Sequence, residues 1–202
     1  MEVVGLGIEE HHLTLFIVRQ RKFRGKDRKR GMEAENGGQA CRLKSLGRPE
    51  AIASMAHFGI DTENAFGVAV PELRRLAKEI GPDHPLALAM WRSGVHDARL
   101  LASMIAAPAD TDLALAEAWA VDFRSWDLCD QCCSNLFRKT TFAHDLVDEW
   151  RRRDEEFVKR AAFAMIAVLA VHDKAAANDV FVAWLSLIEE GASDPRNFVK
   201  KA

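Results

Sequence analysis

From about Gln39 onward, apolar residues recur every three or four positions in runs of ten to sixteen, and short polar breaks separate the runs. That is the period of amphipathic helices, whose core-facing side chains return to one face every 3.6 residues. Leu73, Leu76, Ala77 and Ile80 make such a stripe between Pro71 and Gly81, with proline at a helix start and glycine just past its end. Pro49 and Gly59 bracket the helix before it. The pattern predicts further helices over 84–93, over 95–107 with Pro108 as its stop, over 111–122 and over 125–137. Ala143, Leu146, Val147 and Trp150 repeat the stripe, as do Phe181, Trp184, Leu185 and Ile188. No alternating β-branched run of useful length occurs, and the chain has no tyrosine. The body is expected to be all-α.

One internal match organises the helices. Phe157-Val158-Lys159-Arg160-Ala161 returns as Phe198-Val199-Lys200-Lys201-Ala202, each behind acidic residues, Asp154-Glu155-Glu156 and Asp194. Acid at a helix start satisfies free backbone amides and complements the helix dipole. The offset of 41 residues falls within the ~40–47 residue period of HEAT-type helical pairs, which stack into a curved solenoid. Neighbouring helix starts would set Lys159, Arg160, Lys200 and Lys201 along one rim. Such a rim can contact phosphate, or it can be solvated surface charge.

Charge changes this picture only locally. Formal net charge is −2 over 202 residues, so the overall field does not attract nucleic acid. Residues 1–31 hold eight Lys and Arg against four acids, which leaves 20 of the 28 basic and 26 of the 30 acidic residues to the body. This head mixes a short apolar run with a basic cluster and lacks a clear period. It reads as a disordered basic extension, or as sequence upstream of a start at Met32, with a nucleic-acid-binding arm as the alternative. The main domain is then 32–202. Four cysteines, three of them packed between Cys129 and Cys133, do not make a secreted disulfide framework, and no second Cys or Cys/His pair completes a zinc site. The run Leu13–Val18 is too short for a signal core or a membrane span. A soluble cytoplasmic monomer without metal or cofactor is the expectation.

The densest chemistry lies between Phe123 and Phe137. On a helix, Trp126 and Asp130 are four residues apart and share a face. An indole face attracts positive charge and a carboxylate adds a full opposite charge, so the pair can cradle something cationic. The plainer reading is a half-buried aromatic at a helix start beside a solvated acid. His172-Asp173 reads as a polar turn, because adjacent residues on a helix do not face each other.

The stretch from about Leu43 to Ala202 resembles the bacterial DNA alkylation repair family, the AlkD-like DNA glycosylases built from HEAT-like repeats. The resemblance is carried by Phe58-Gly59-Ile60, Gly67-Val68 through Pro71-Glu72-Leu73-Arg74, Trp91 through Ala98-Arg99, and Ser125-Trp126-Asp127 with Asp130. Glu155 through Ala161 and Asn197 through Ala202 complete it. It implies that Trp126 and Asp130 are catalytic, that Arg160 sits with them in a concave site, and that the partner is double-stranded DNA bearing alkylated purines. It also implies a further active-site aromatic beyond the segment ending at Ala202, so the chain is expected to be truncated there and to lack that wall.

The implied chemistry suits the residues. A purine alkylated at N3 or N7 is cationic and leaves as a neutral base, so the acid that ordinary glycoside hydrolysis requires is dispensable. One carboxylate, Asp130, can stabilise the oxocarbenium-like sugar and accept a hydrogen bond from the attacking water. Trp126 would contact the electron-poor sugar or base, and the Arg160 fork would suit a flanking phosphate. The competing reading is a non-catalytic helical-repeat module that binds damaged or branched DNA, or a protein partner.

Overall fold

The structure, a computed structural model, describes residues 38–202; the head over 1–31 lies outside the described residues. Eleven α-helices and no strand occur among the described residues, as the periodicity predicts. They are α1 (38–46), α2 (Pro49–His57), α3 (Val70–Ile80), α4 (His84–Arg92), α5 (His96–Ile105) and α6 (Leu113–Ala120). After these come α7 (Trp126–Asn135), α8 (Ala143–Trp150), α9 (Glu156–His172), α10 (Asn178–Ala192) and α11 (Asn197–Lys201). None is long and apolar enough to cross a membrane.

Local chemistry sets the helix ends. Asp83 and Asp112 cap α4 and α6, each side chain accepting the amide three residues on, at 2.9 Å in both cases. Those caps trim the broader spans that hydrophobic pattern alone gives, since Thr111 and Asp112 fall outside α6. Pro71 and Pro85 occupy the first turns of α3 and α4, where no amide donor is required.

The helices form two layers. In the inner row α3, α5, α7, α9 and α11 pack each on the next, and the even-numbered helices α4, α8 and α10 cover them from outside. The inner starts at His96, Trp126, Glu156 and Asn197 are separated by 30, 30 and 41 residues. The 41-residue offset visible in sequence therefore belongs only to the last interval. Polar and aromatic pairs bind neighbouring repeats across these intervals: Trp91 stacks on Trp119 at 3.9 Å, Asn135 donates to Ser103 at 3.1 Å, and His144 meets Asp173 at 2.8 Å.

Trp150, Phe137, Leu101, Leu146 and Met165 are fully buried at the centre. Each such side chain contributes about 1.5–3 kcal/mol. A surface pair such as Arg75 with Glu72 is screened by water and contributes little, so apolar packing holds the array. The stripe on α10 behaves differently from its expected role. Trp184 is buried and Phe181 half-buried, but Leu185 and Ile188 are exposed, because among the described residues α10 packs through its other face, against α8, α9 and α11.

Candidate active site

The inner helices all begin along one edge of the array, and the loop over 58–68 runs beside that edge. Asp97 at the start of α5 anchors this loop, its carboxylate accepting the amides of Phe66 at 2.6 Å and Val68 at 2.7 Å. Gly67 between them has φ +76°, and a Cβ there would lie 2.6 Å from the Arg48 carbonyl oxygen. The loop also reaches α7, where Nε1 of Trp126 donates to the Phe58 carbonyl at 2.9 Å. The neighbouring Gly59, at φ +75°, lets the loop close on α11: a Cβ there would sit 2.8 Å from Cζ of Phe198.

Trp126 opens α7 and Asp130 follows one turn later, on the same face as their spacing requires. Arg160 approaches from the first turns of α9. Its Nε donates to Oδ1 of Asp130 at 2.9 Å and its Nη2 to Oδ2 at 2.8 Å, a parallel fork on both carboxylate oxygens. Nη1 donates to the Phe198 carbonyl on α11 at 2.7 Å, and the guanidinium carbon lies 6.0 Å from the Trp126 ring centroid. The three residues singled out in sequence thus meet at one point.

Their order in depth matters chemically. The Arg160 side chain is 9% exposed and that of Asp130 is 34% exposed. Burial presses the guanidinium's pKa down, but the hydrogen bonds and charge of Asp130 outweigh it and hold the pKa above its ordinary value. The pair is therefore an oriented dipole with its negative end toward solvent. Each carboxylate oxygen has a second lone pair, so the fork leaves acceptor capacity for a water.

The expected basic rim divides. Arg160 is committed to Asp130 and Phe198. Lys159 is committed to Asp194, with Nζ 2.9 Å from Oδ2, and Arg196 holds the same carboxylate at 2.6 Å. The hydrogen bonds of Arg196 and then of Lys159 hold the Asp194 carboxyl well below the usual range. Lys200 and Lys201 remain exposed, the latter with Nζ 5.6 Å from the Phe198 ring centroid. The last repeat thus uses half of the motif's cations to dock α11: Arg196 also reaches the Asp154 carbonyl, and Glu156 accepts the Phe198 amide at 2.9 Å.

Two features went unmarked as site residues in the sequence. Phe58 stands 63% exposed, its ring edge-on to that of His57 at 5.3 Å and its carbonyl bound to Trp126. Only its place in a Phe-Gly pair before a polar loop could have flagged it. His96 lies behind Trp126, with Nε2 2.8 Å from Oδ2 of Asp127, while Oδ1 of Asp127 accepts the Ser125 hydroxyl at 2.7 Å. An open cleft of about 450 Å³ adjoins this point, lined among others by Asp61, Glu63, Arg99, Asp122 and Arg124.

The cysteines take no part. Cys129 and Cys133 donate to the carbonyls of Phe157 and Ala161 on α9, and Cys132 is buried with them. Burial pushes all three thiols up.

A family model described as DNA alkylation repair enzyme matches residues 40–202. The chain belongs to that family. A solved structure described as "a new family of proteins related to the HEAT-like repeat DNA glycosylases with affinity for branched DNA structures" is similar to it in fold. The TM-score is 0.73 at 21% identity, over 82% of this chain and 71% of that one. Among curated proteins nothing matches.

Proposed function

We propose that this member of the family is a DNA glycosylase that excises cationic N3- and N7-alkylated purines from duplex DNA. The observation that carries the reading is the outward-facing Asp130 carboxylate, backed by the Arg160 fork and flanked by the Trp126 indole. A site for a positively charged, weakly bonded base needs negative potential and an aromatic face more than it needs a proton donor. Asp130 would stabilise positive charge as it develops on the sugar and would orient water through its free lone pairs. With its donors turned to Asp130 and Phe198, Arg160 would fix the carboxylate, so phosphate contact falls to the exposed Lys200 and Lys201. The site would act on DNA in the cytoplasm, with no metal or cofactor.

A second reading has its own support. Both Asp130 oxygens already carry a hydrogen bond, and the fold neighbour is described by affinity for branched DNA, so a module that binds branched or damaged DNA without cleavage fits the same crescent. Release of free N7-methylguanine or N3-methyladenine from methylated duplex DNA separates the two. The wild-type chain is expected to release base and Asp130→Asn to release it at least a hundredfold more slowly. Equal release by both would remove Asp130 from the chemistry, and release by the wild type no faster than spontaneous loss, while it binds four-way junctions, would establish the binding module instead.

A further inference from the structure

The hydrogen bonds around Trp126 close into a circuit. The indole Nε1 donates to Phe58, and six residues along the same loop the Asn64 carbonyl accepts the backbone amide of His96 at 2.8 Å. His96 returns to α7 through its ring, which bonds Asp127 at 2.8 Å, and Asp127 is the residue next to Trp126. Asp97 pins the far end of the loop through Phe66 and Val68. His96 is 6% exposed and has no part in the chemistry proposed for Asp130. Yet a change at the His96–Asp127 contact must be felt at both ends of the indole's support, because the loop and α7 are its only two anchors in the circuit.

We infer that His96 is a positioning residue, which through Asp127 and the loop over 58–68 fixes the Trp126 indole in the site and holds it more firmly when protonated. The charges facing the imidazole favour the protonated form. Asp127 faces it from α7, Asp61 from the loop and Asp97 from its own helix, while Glu63 and Asp122 share the cleft with Arg99 and Arg124. Burial presses His96 down, but the Asp127 bond and charge outweigh it and hold it above its ordinary value. Asp127, pushed up by burial, is drawn below its ordinary value by His96 and Ser125. The ionic form of the contact is thus fully present below the ordinary histidine pKa and is lost as pH rises through the raised value; at the acid end it fails only as pH falls through the lowered Asp127 value. Above that range the neutral imidazole can still donate from Nε2, so the contact weakens and does not vanish.

The indole N–H of Trp126 reports this directly. The chain has five tryptophans, and Trp126→Phe assigns its indole resonance in a nitrogen–proton spectrum. In the wild type that resonance is expected to titrate with a midpoint above the ordinary histidine value. The indoles of Trp91 and Trp150, held by Asp122 and Glu117, should stay still. In His96→Gln the titration should disappear and solvent exchange at the Trp126 indole should rise about tenfold. Asp127→Asn keeps an acceptor oxygen but removes the charge, and should move the titration to lower pH. A Trp126 resonance that is unchanged in both variants, or that titrates as before without the imidazole, overturns the inference. Any effect on base excision rests on the function proposed above. Excision measured on the same samples keeps the two apart, since a wild type that releases no base defeats that proposal and leaves the indole result intact.

Discussion

Replacing Asp130 by alanine removes a carboxylate that holds two charged donors, and its effect on stability can be worked out before any effect on chemistry. Truncation leaves Nε and Nη2 of Arg160 without acceptors in a setting where the guanidinium is 9% exposed. Breaking a fully buried ion pair from one side costs about 3–5 kcal/mol. Asp130 is 34% exposed, so water can take part of its place, which brings the cost to about 2–3 kcal/mol. For a domain of this size that is a fall in Tm of about 5–10 °C, since each kcal/mol shifts the midpoint by about 2–4 °C. Urea and thermal unfolding followed by circular dichroism measure it. Asp130→Asn keeps one acceptor oxygen and should lose about half as much. Arg160→Met combined with Asp130→Leu should recover much of the loss by exchanging a buried pair for apolar packing. It should not recover all of it, because the Phe198 carbonyl then loses its donor. An Asp130→Ala variant that melts within about 2 °C of wild type, with Asp130→Leu and Arg160→Met strictly additive in the double variant, would refute the idea that the two side chains are held as a fork.

Two further outcomes are expected. Gly59→Ala forces a left-handed φ of +75° on a residue with a Cβ and drives that atom toward the Phe198 ring, so it should destabilise by about 1–2 kcal/mol in urea titration and weaken DNA binding with it. The three thiols of α7 are buried and pushed up while Cys41 is exposed, so a thiol reagent should modify one cysteine rapidly in the native chain and all four after denaturation.

The fold was readable because helix punctuation is local. Proline at the first turn, aspartate at the cap and glycine past the end act within a few residues, and α2, α3 and α4 begin and end close to where these residues place them. Trp126 and Asp130 were readable for the same reason, four residues on one helix being enough to set a common face. Contacts between repeats were not. His96 with Asp127, Asp130 with Arg160 and Trp91 with Asp122 are three chemically unlike pairs, each about 30 residues apart, so no repeated word in the sequence marks the 30-residue interval. Only the last interval echoes itself in letters. The position of Arg160 likewise depends on depth: a basic residue in the first turns of a helix looks the same in sequence whether it faces water or stands behind a carboxylate. Leu185 and Ile188 show the converse, since a stripe states that a face is apolar and not that another helix covers it.

Phe58 and Gly59 belong to the loop after α2, whereas Phe198 belongs to α11, and these distant parts of the chain touch over the centre of the array. An open stack of helical pairs can fray from either end while its middle stays intact, because each unit answers only to its neighbours. A stack whose early loop and late helix are latched together loses that independence. Damage at α11 would be transmitted to the tryptophan on α7 without passing through the helices between them, so grafting or swapping single repeats should disturb the centre even when the junctions are seamless.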